Sequence, residues 1–199
     1  AVMIPWPWPA PADDGAAAHL VEGLAIPDIA LPTASGGTVS LARQPGRTIV
    51  FVYTWTGRPG IPDPPDWDDI AGAHGSTAEL QGIRNLQTSF ESIDTRVYAL
   101  STQTTGWQRE AADRLRLGFD LISDRALEFA DALALPRFET GGETYLRRLT
   151  LAIADGRIDF AFYPVHPPDA HARDVLAWLT DAVGYALEGR INPGMTLQR

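Results

Sequence analysis

The run Thr48-Ile49-Val50-Phe51-Val52-Tyr53 constrains this chain more than any other stretch. Six consecutive β-branched or aromatic residues leave no alternation for a wet face, so the strand they form is buried on both sides. A sheet holding such a strand needs cover above and below. The chain has 199 residues, 45% hydrophobic and 21% charged, which is enough for one core and that cover.

The remaining pattern supplies the cover. Leu80, Ile83, Leu86 or Gln87, Phe90 and Ile93 fall on one stripe and predict a helix over 76–92. Arg96–Ser101 reads as a second strand, Trp107–Arg116 as an amphipathic helix and Phe119–Ser123 as a third strand. Ala126–Leu135 reads as a helix ended by Pro136. Asp155-Gly156, between Leu149–Ile153 and Ile158–Phe162, predicts a tight hairpin. Pro167-Pro168-Asp169 then opens a helix with the stripe Ala172, Val175, Leu176, Leu179, Ala182, Val183 and Ala186. Upstream, Ala30–Pro32 and Thr38–Leu41 flank a glycine turn as short edge strands, and AAAHLVEGL after Asp13-Asp14-Gly15 predicts a short helical piece. Thr54–Gly75, with four prolines and four aspartates, is a long irregular segment of the kind that is functional or disordered. Strands alternating with helices and closed by an antiparallel hairpin predict an α/β fold: three α/β/α layers with a mixed central sheet, the outline of a thioredoxin-like fold. The organisation predicted is a Pro/Trp-rich arm and short helix (1–23), one domain (24–187) and a tail (188–199).

Composition excludes whole classes of chemistry. With no cysteine there is no disulfide scaffold, thiolate zinc site, iron–sulfur cluster or cysteine nucleophile. All sixteen basic side chains are arginine, so no lysine Schiff base forms. The net charge is −9 and no stretch concentrates arginine, which argues against nucleic acid and anionic membranes as partners. No apolar run approaches the ~20 residues that span a bilayer. The opening AVMIPWPWPAPA lacks the pattern of a signal peptide, and a cytoplasmic location is expected. Its four prolines forbid regular structure; the arm is expected to dock its tryptophans on the domain or on a partner.

Several short motifs in order carry a resemblance. Thr56-Gly57-Arg58-Pro59-Gly60, Gly75-Ser76-Thr77-Ala78-Glu79-Leu80, Ile83-Arg84-Asn85, Leu121-Ile122-Ser123-Asp124, Arg147-Arg148-Leu149-Thr150-Leu151 and Phe162-Tyr163-Pro164-Val165 are similar to peroxiredoxin motifs. The branch resembled is that of bacterioferritin comigratory protein, over roughly residues 24–180. The resemblance implies a thioredoxin-like fold. It places Ser76 where the family has its peroxidatic cysteine, in the first turn of a helix. It also makes Arg148 the arginine that activates the thiolate, with Glu79 the acidic residue that orients it. Ala73 stands at a threonine position, His74 at a proline or arginine position and Gln81 at the optional resolving-cysteine position. A serine hydroxyl cannot cycle through a sulfenic acid, so thiol peroxidase chemistry is blocked.

The residues themselves support more modest readings. Ser76-Thr77-Ala78-Glu79 is a capping box before an apolar-periodic helix. Arg147 and Arg148, placed at the start of a strand, would point to opposite faces; the resemblance turns Arg148 to the pocket, whereas the bland alternative is a surface arginine. An anion or ligand oxygen is expected between Arg148 and the helix start. His74 is a candidate acid or base, or an exposed loop histidine; a Ser76–His74–Asp69 triad lacks a G-x-S-x-G elbow. Asp63, Asp66, Asp68, Asp69 and His74 match no metal-site spacing and read as a solvated acidic loop, so neither metal nor cofactor is expected. Thr77, Glu79, Tyr53 and Trp55 are the candidate substrate-binding residues. Three functions stay open: a pocket reused for a small polar ligand without redox chemistry, a one-cysteine peroxidase changed to serine at 76, and a non-catalytic interaction protein. A homodimer is a further expectation.

Overall fold

The computed structural model describes residues 5–191, with side chains described through Asp181. The element order begins with β1 (Leu31–Pro32), β2 (Thr38–Val39) and β3 (Arg47–Val52). It continues with α1 (Ser76–Ser92), β4 (Thr95–Ser101), α2 (Thr105–Leu115), β5 (Asp120–Ser123) and α3 (Glu128–Ala132). β6 (Arg137–Thr140), β7 (Glu143–Leu146), β8 (Leu149–Ala154), β9 (Arg157–Phe162) and α4 (Pro168–Ile191) complete it.

The main sheet has the order β5-β4-β3-β8-β9. β3 lies at its centre, parallel to β4 and antiparallel to β8, as its unbroken apolar run requires. Alternation along β3 then builds two cores. Ile49, Phe51 and the adjacent Tyr53 pack with Leu80, Ile83 and Phe90 of α1 and with Val175 and Leu179 of α4. Val50 and Val52 pack on the other face with Phe129 of α3, with Leu20 and Ile26 of the irregular N-terminal stretch and with Leu41 of a 3-10 turn (Leu41–Arg43). The result is a mixed sheet between two layers, with α1, α2 and α4 on one side and α3 with loops on the other. Phe51 and Phe90 meet edge to face at 6.2 Å and are both fully enclosed, each burial contributing about 1.5–3 kcal/mol.

The structure departs from the local expectations at several points. The segment AAAHLVEGL forms isolated turns rather than a helix, being too short to offset the cost of helix nucleation. A second hairpin, β6–β7, turns at Gly141-Gly142, where the hydrophobic pattern predicts no strand. β8 begins at Leu149, so Arg147 and Arg148 lie in the link before the strand rather than in it. The Asp155-Gly156 turn has positive φ at both residues, 47° and 76°, as a two-residue hairpin of this twist demands. α4 continues to Ile191, past the Glu188 expected to start the tail; Ala182, Val183 and Ala186 lie outside the described side chains, and 192–199 outside the described residues. Among the described residues no helix is long and apolar enough to cross a membrane.

Candidate functional site

The C-terminal end of β3 leads into the irregular segment 54–75, which delivers the chain to the start of α1. Gly75 is the residue before the helix, with φ 114°, a backbone conformation that glycine alone adopts without strain. Ser76 is therefore the first helical residue and no side-chain cap forms, so the capping box is not made. The Ser76 hydroxyl instead accepts from the backbone N–H of Trp55 at 3.3 Å and from Nη2 of Arg148 at 3.2 Å. Glu79 turns away from the helix start to pair with Arg148.

That pair is buried. Glu79 Oε2 and Arg148 Nη1 are 2.9 Å apart, with side-chain exposures of 0% and 2%. Arg148 also donates to the carbonyl of His74 at 3.2 Å. Burial pushes the Glu79 carboxyl up to about 7 against the pull of Arg148. It also holds the guanidinium below its ordinary value against the pull of Glu79. The other Glu79 oxygen, Oε1, has no hydrogen-bond partner among the described residues. Arg148 is thus no surface arginine. Its charge is met by Glu79 and by the Ser76 hydroxyl directly, so the expected ligand oxygen between Ser76 and Arg148 has no gap to fill.

His171 completes this interior. Its Nε2 lies 2.8 Å from Thr150 Oγ1, and its ring stands edge-on to Phe51 and Phe162. Burial, helped by the Arg148 charge, pulls the imidazole down to about 4. Sequence reasoning missed this histidine, because it sits on the apolar stripe of α4 one residue before Ala172.

The surface above Ser76 is a recess of about 380 Å³, lined by Trp6, Trp8, Trp55, Trp67 and His74, and by Thr77 and Ala78 at the helix start. Ser76, Thr77, His74 and Trp55 therefore come together at this recess, with Glu79 and Arg148 beneath them. Tyr53 does not join them: it is wholly enclosed in the core, where burial pushes its phenol up. The N-terminal arm docks on its own domain. Trp8 stacks on His74 with centroids 3.7 Å apart, and the N–H of Gly72 donates to the carbonyl of Pro9.

His74 Nε2 lies 2.8 Å from Asp68 Oδ1, so the carboxylate partner is Asp68 and not Asp69. The Ser76 hydroxyl is held by Arg148 and Trp55 while the His74 ring is held by Asp68, so no nucleophile–base relay is assembled. Ligand atoms of Asp63, Asp68 and His74 lie within 4.8 Å of one another, with both aspartates exposed. Asp66 and Asp69 are also exposed and do not join that group.

Residues 21–176 match the family model described as Redoxin. Among solved structures the fold is similar to peroxidoxin BcpB from Mycobacterium tuberculosis, at 23% identity and TM-score 0.66 over 82% of this chain and 98% of that one. It is similar also to a cysteine-to-serine mutant of PrxQ from Xylella fastidiosa, at 20% identity and TM-score 0.68 over 83% and 98%. Bacterioferritin comigratory protein from Xanthomonas campestris, described for its alkyl peroxide reduction activity, matches at 19% identity and TM-score 0.64 over 81% and 99%. No curated protein sequence gives a significant match.

Proposed function

Because the chain belongs to the redoxin family and contains no cysteine, we propose that it uses the family's pocket to bind a small polar molecule without redox chemistry. The observation that carries this reading is the recess above Ser76. It is open and of ligand size, and its floor is a buried network of hydrogen bonds and one ion pair rather than a reactive group. Ser76 has two donors directed at its oxygen and no base, which suits recognition better than nucleophilic attack. Thr77 and Trp55 at the wall and His74 at the rim are the contacts offered to a ligand; Arg148 and Glu79 position the helix start.

A panel of small polar compounds in a thermal-shift assay tests this. A ligand at ~100 times its dissociation constant adds about 2.7 kcal/mol of stability. Ala78→Phe fills the recess from a partly exposed helix position and should abolish the shift. A panel without any stabilising compound, or a shift that persists in Ala78→Phe, refutes the reading.

A second reading is a one-cysteine thiol peroxidase carrying serine in place of its cysteine. It is favoured by the position of Ser76 at a helix N-terminus within reach of an arginine, the setting that lowers a thiol pKa. The interaction-protein reading is weakened, because Trp6 and Trp8 of the arm already pack on the domain. A cytoplasmic location and a homodimer belong to the same proposal, the dimer being checked by sedimentation.

A further inference from the structure

The recess has two kinds of wall. Trp67 is held from behind by Phe138 and Tyr145. His74 is held by Asp68 at 2.8 Å and by the bond from Arg148 to its carbonyl. Trp6 and Trp8 instead come from the N-terminal arm, which forms no helix or strand between Pro5 and Asp14. Neither indole belongs to the hydrophobic cluster of Trp67, Ala73 and Tyr145 beneath them.

The sequence of the arm suits a part that docks and lifts. Tryptophan alternates with proline over Pro5–Pro9, and in an extended chain alternate residues face opposite ways. Trp6 and Trp8 are accordingly half-buried, while Pro5, Pro7 and Pro9 are exposed. Proline brings no N–H that must find a partner, and its fixed φ makes the arm stiff before it docks.

The attachments of the arm are few. Trp8 lies flat on the His74 ring, with centroids 3.7 Å apart and planes at 11°. The Gly72 N–H donates to the Pro9 carbonyl at 3.3 Å, the one backbone hydrogen bond that joins 5–14 to the domain among the described residues. Pro11 rests on Gly72, where a Cβ would lie 3.4 Å from its side chain. At the base of the arm the Tyr163 hydroxyl donates to Asp14 Oδ1 at 2.9 Å. Gly15 follows with φ 74° and Leu20 is buried in the core, so a pivot stands next to a fixed end.

We propose that residues 6–11 are an autoinhibitory strap, which competes with a ligand for the His74 side of the recess and lifts about Gly15 to yield it. Trp8 takes the open face of the His74 ring, and Trp6 sits against Gly75 at the start of α1. His74 keeps Asp68 and its bond from Arg148 when the strap lifts, so the site opens without coming apart. The gating role rests on the ligand-binding reading above, whereas lifting is measured without any ligand.

Amide hydrogen exchange on the full chain reads the lifting, and carbethoxylation by diethyl pyrocarbonate, mapped by mass spectrometry, reads the exposure of each imidazole. The Gly72 amide should exchange at least about 100-fold faster than the Tyr53 amide, which is bonded within the core to the Leu100 carbonyl. Trp8→Ala should speed carbethoxylation of His74 about five- to tenfold, the range for losing one aromatic stacking partner. His19 and the enclosed His171 should react as in the wild type. In Trp6→Ala/Trp8→Ala, a free peptide with the sequence of residues 5–11 should protect His74 again, and saturably. The same peptide should leave the wild type unchanged, because the tethered arm competes at an effective concentration of about millimolar. Gly72 exchange as slow as that of Tyr53 would overturn the proposal, since the arm would then be a fixed wall that leaves only on unfolding. Unchanged His74 reactivity in Trp8→Ala, or a peptide that gives no protection, would overturn it as well. None of these results touches the small-ligand reading; a blank thermal-shift panel beside a lifting arm would refute that reading, and the gating role with it.

Discussion

Replacing His171 by glutamine should make the protein lose stability between pH 5 and 7 where the wild type stays level. The reason lies in two buried groups with opposite slopes. His171 is 5% exposed and burial holds its imidazole near 4, below its ordinary 6.5. A depressed histidine contributes stability that is complete above pH 6.5 and is lost as pH falls toward 4. Between 6.5 and about 5 that loss is about 2 kcal/mol, at about 1.36 kcal/mol per pH unit. Glu79 is the reverse case, raised from 4.5 to about 7 by burial. Its contribution is complete below 4.5 and is lost as pH rises to about 7, again about 2 kcal/mol between pH 5 and 7. The two cancel in the wild type. Relative to it, His171→Gln should fall by about 2 kcal/mol from pH 5 to 7, and Glu79→Gln should rise by about the same amount. Glu79→Gln also carries a pH-independent penalty, because the amide places two extra donors in a buried site that offers them no acceptor of their own. Urea unfolding followed by tryptophan fluorescence at several pH values measures each difference with exposed carboxylates common to both proteins. Profiles of the variants that run parallel to the wild type would refute the argument.

Arg148→Ala should cost about 3–5 kcal/mol in urea unfolding, since it removes a buried ion-pair partner together with its hydrogen bonds to Ser76 and the His74 carbonyl; the surface-arginine alternative predicts less than ~1 kcal/mol. With a thioredoxin-type reductant the chain should consume no hydrogen peroxide, and Ser76→Cys should restore only slow turnover if Ala73, without a hydroxyl to offer the sulfur, reflects a pocket already turned to another use. Rapid turnover in Ser76→Cys would favour the inactivated-peroxidase reading. Phe90→Ala, at the α1–β3 contact, should lower stability by about 3–5 kcal/mol with an unchanged denaturant slope.

The strand at 47–52, the helix at 76–92 and the β8–β9 hairpin were legible because each is specified locally: an unbroken apolar run, a 3.6-residue stripe and an Asp-Gly turn. The β6–β7 hairpin was also written locally, as Gly141-Gly142 between short segments, but five of its eight strand residues are polar or charged and the pattern was faint. The contents of the site were legible only through resemblance. Glu79 and Arg148 are 69 residues apart, and no periodicity says that they meet. Local chemistry pointed the wrong way for Ser76 and Glu79, whose spacing spells a capping box. The buried arginine outcompetes the helix end for the carboxylate, because an unpaired guanidinium in the core costs more than an open cap. Docking of the arm on the domain or on a partner was legible from its Pro/Trp composition, but Trp6 and Trp8 carry no signal for which surface accepts them.

Gly75 joins three parts of the molecule that are distant in the chain. A methyl group there would press on Pro168 at the start of α4, and would lie 2.7 Å from Cζ2 of Trp6. The hydrogen at this position is thus the clearance through which the arm reaches the recess. Any larger residue would evict either the first turn of the last helix or the tryptophan wall contributed by the arm. The ligand cavity and the seating of both ends of the domain therefore share one mechanical tolerance, and a disturbance at either end should be felt as a change in the shape of the cavity.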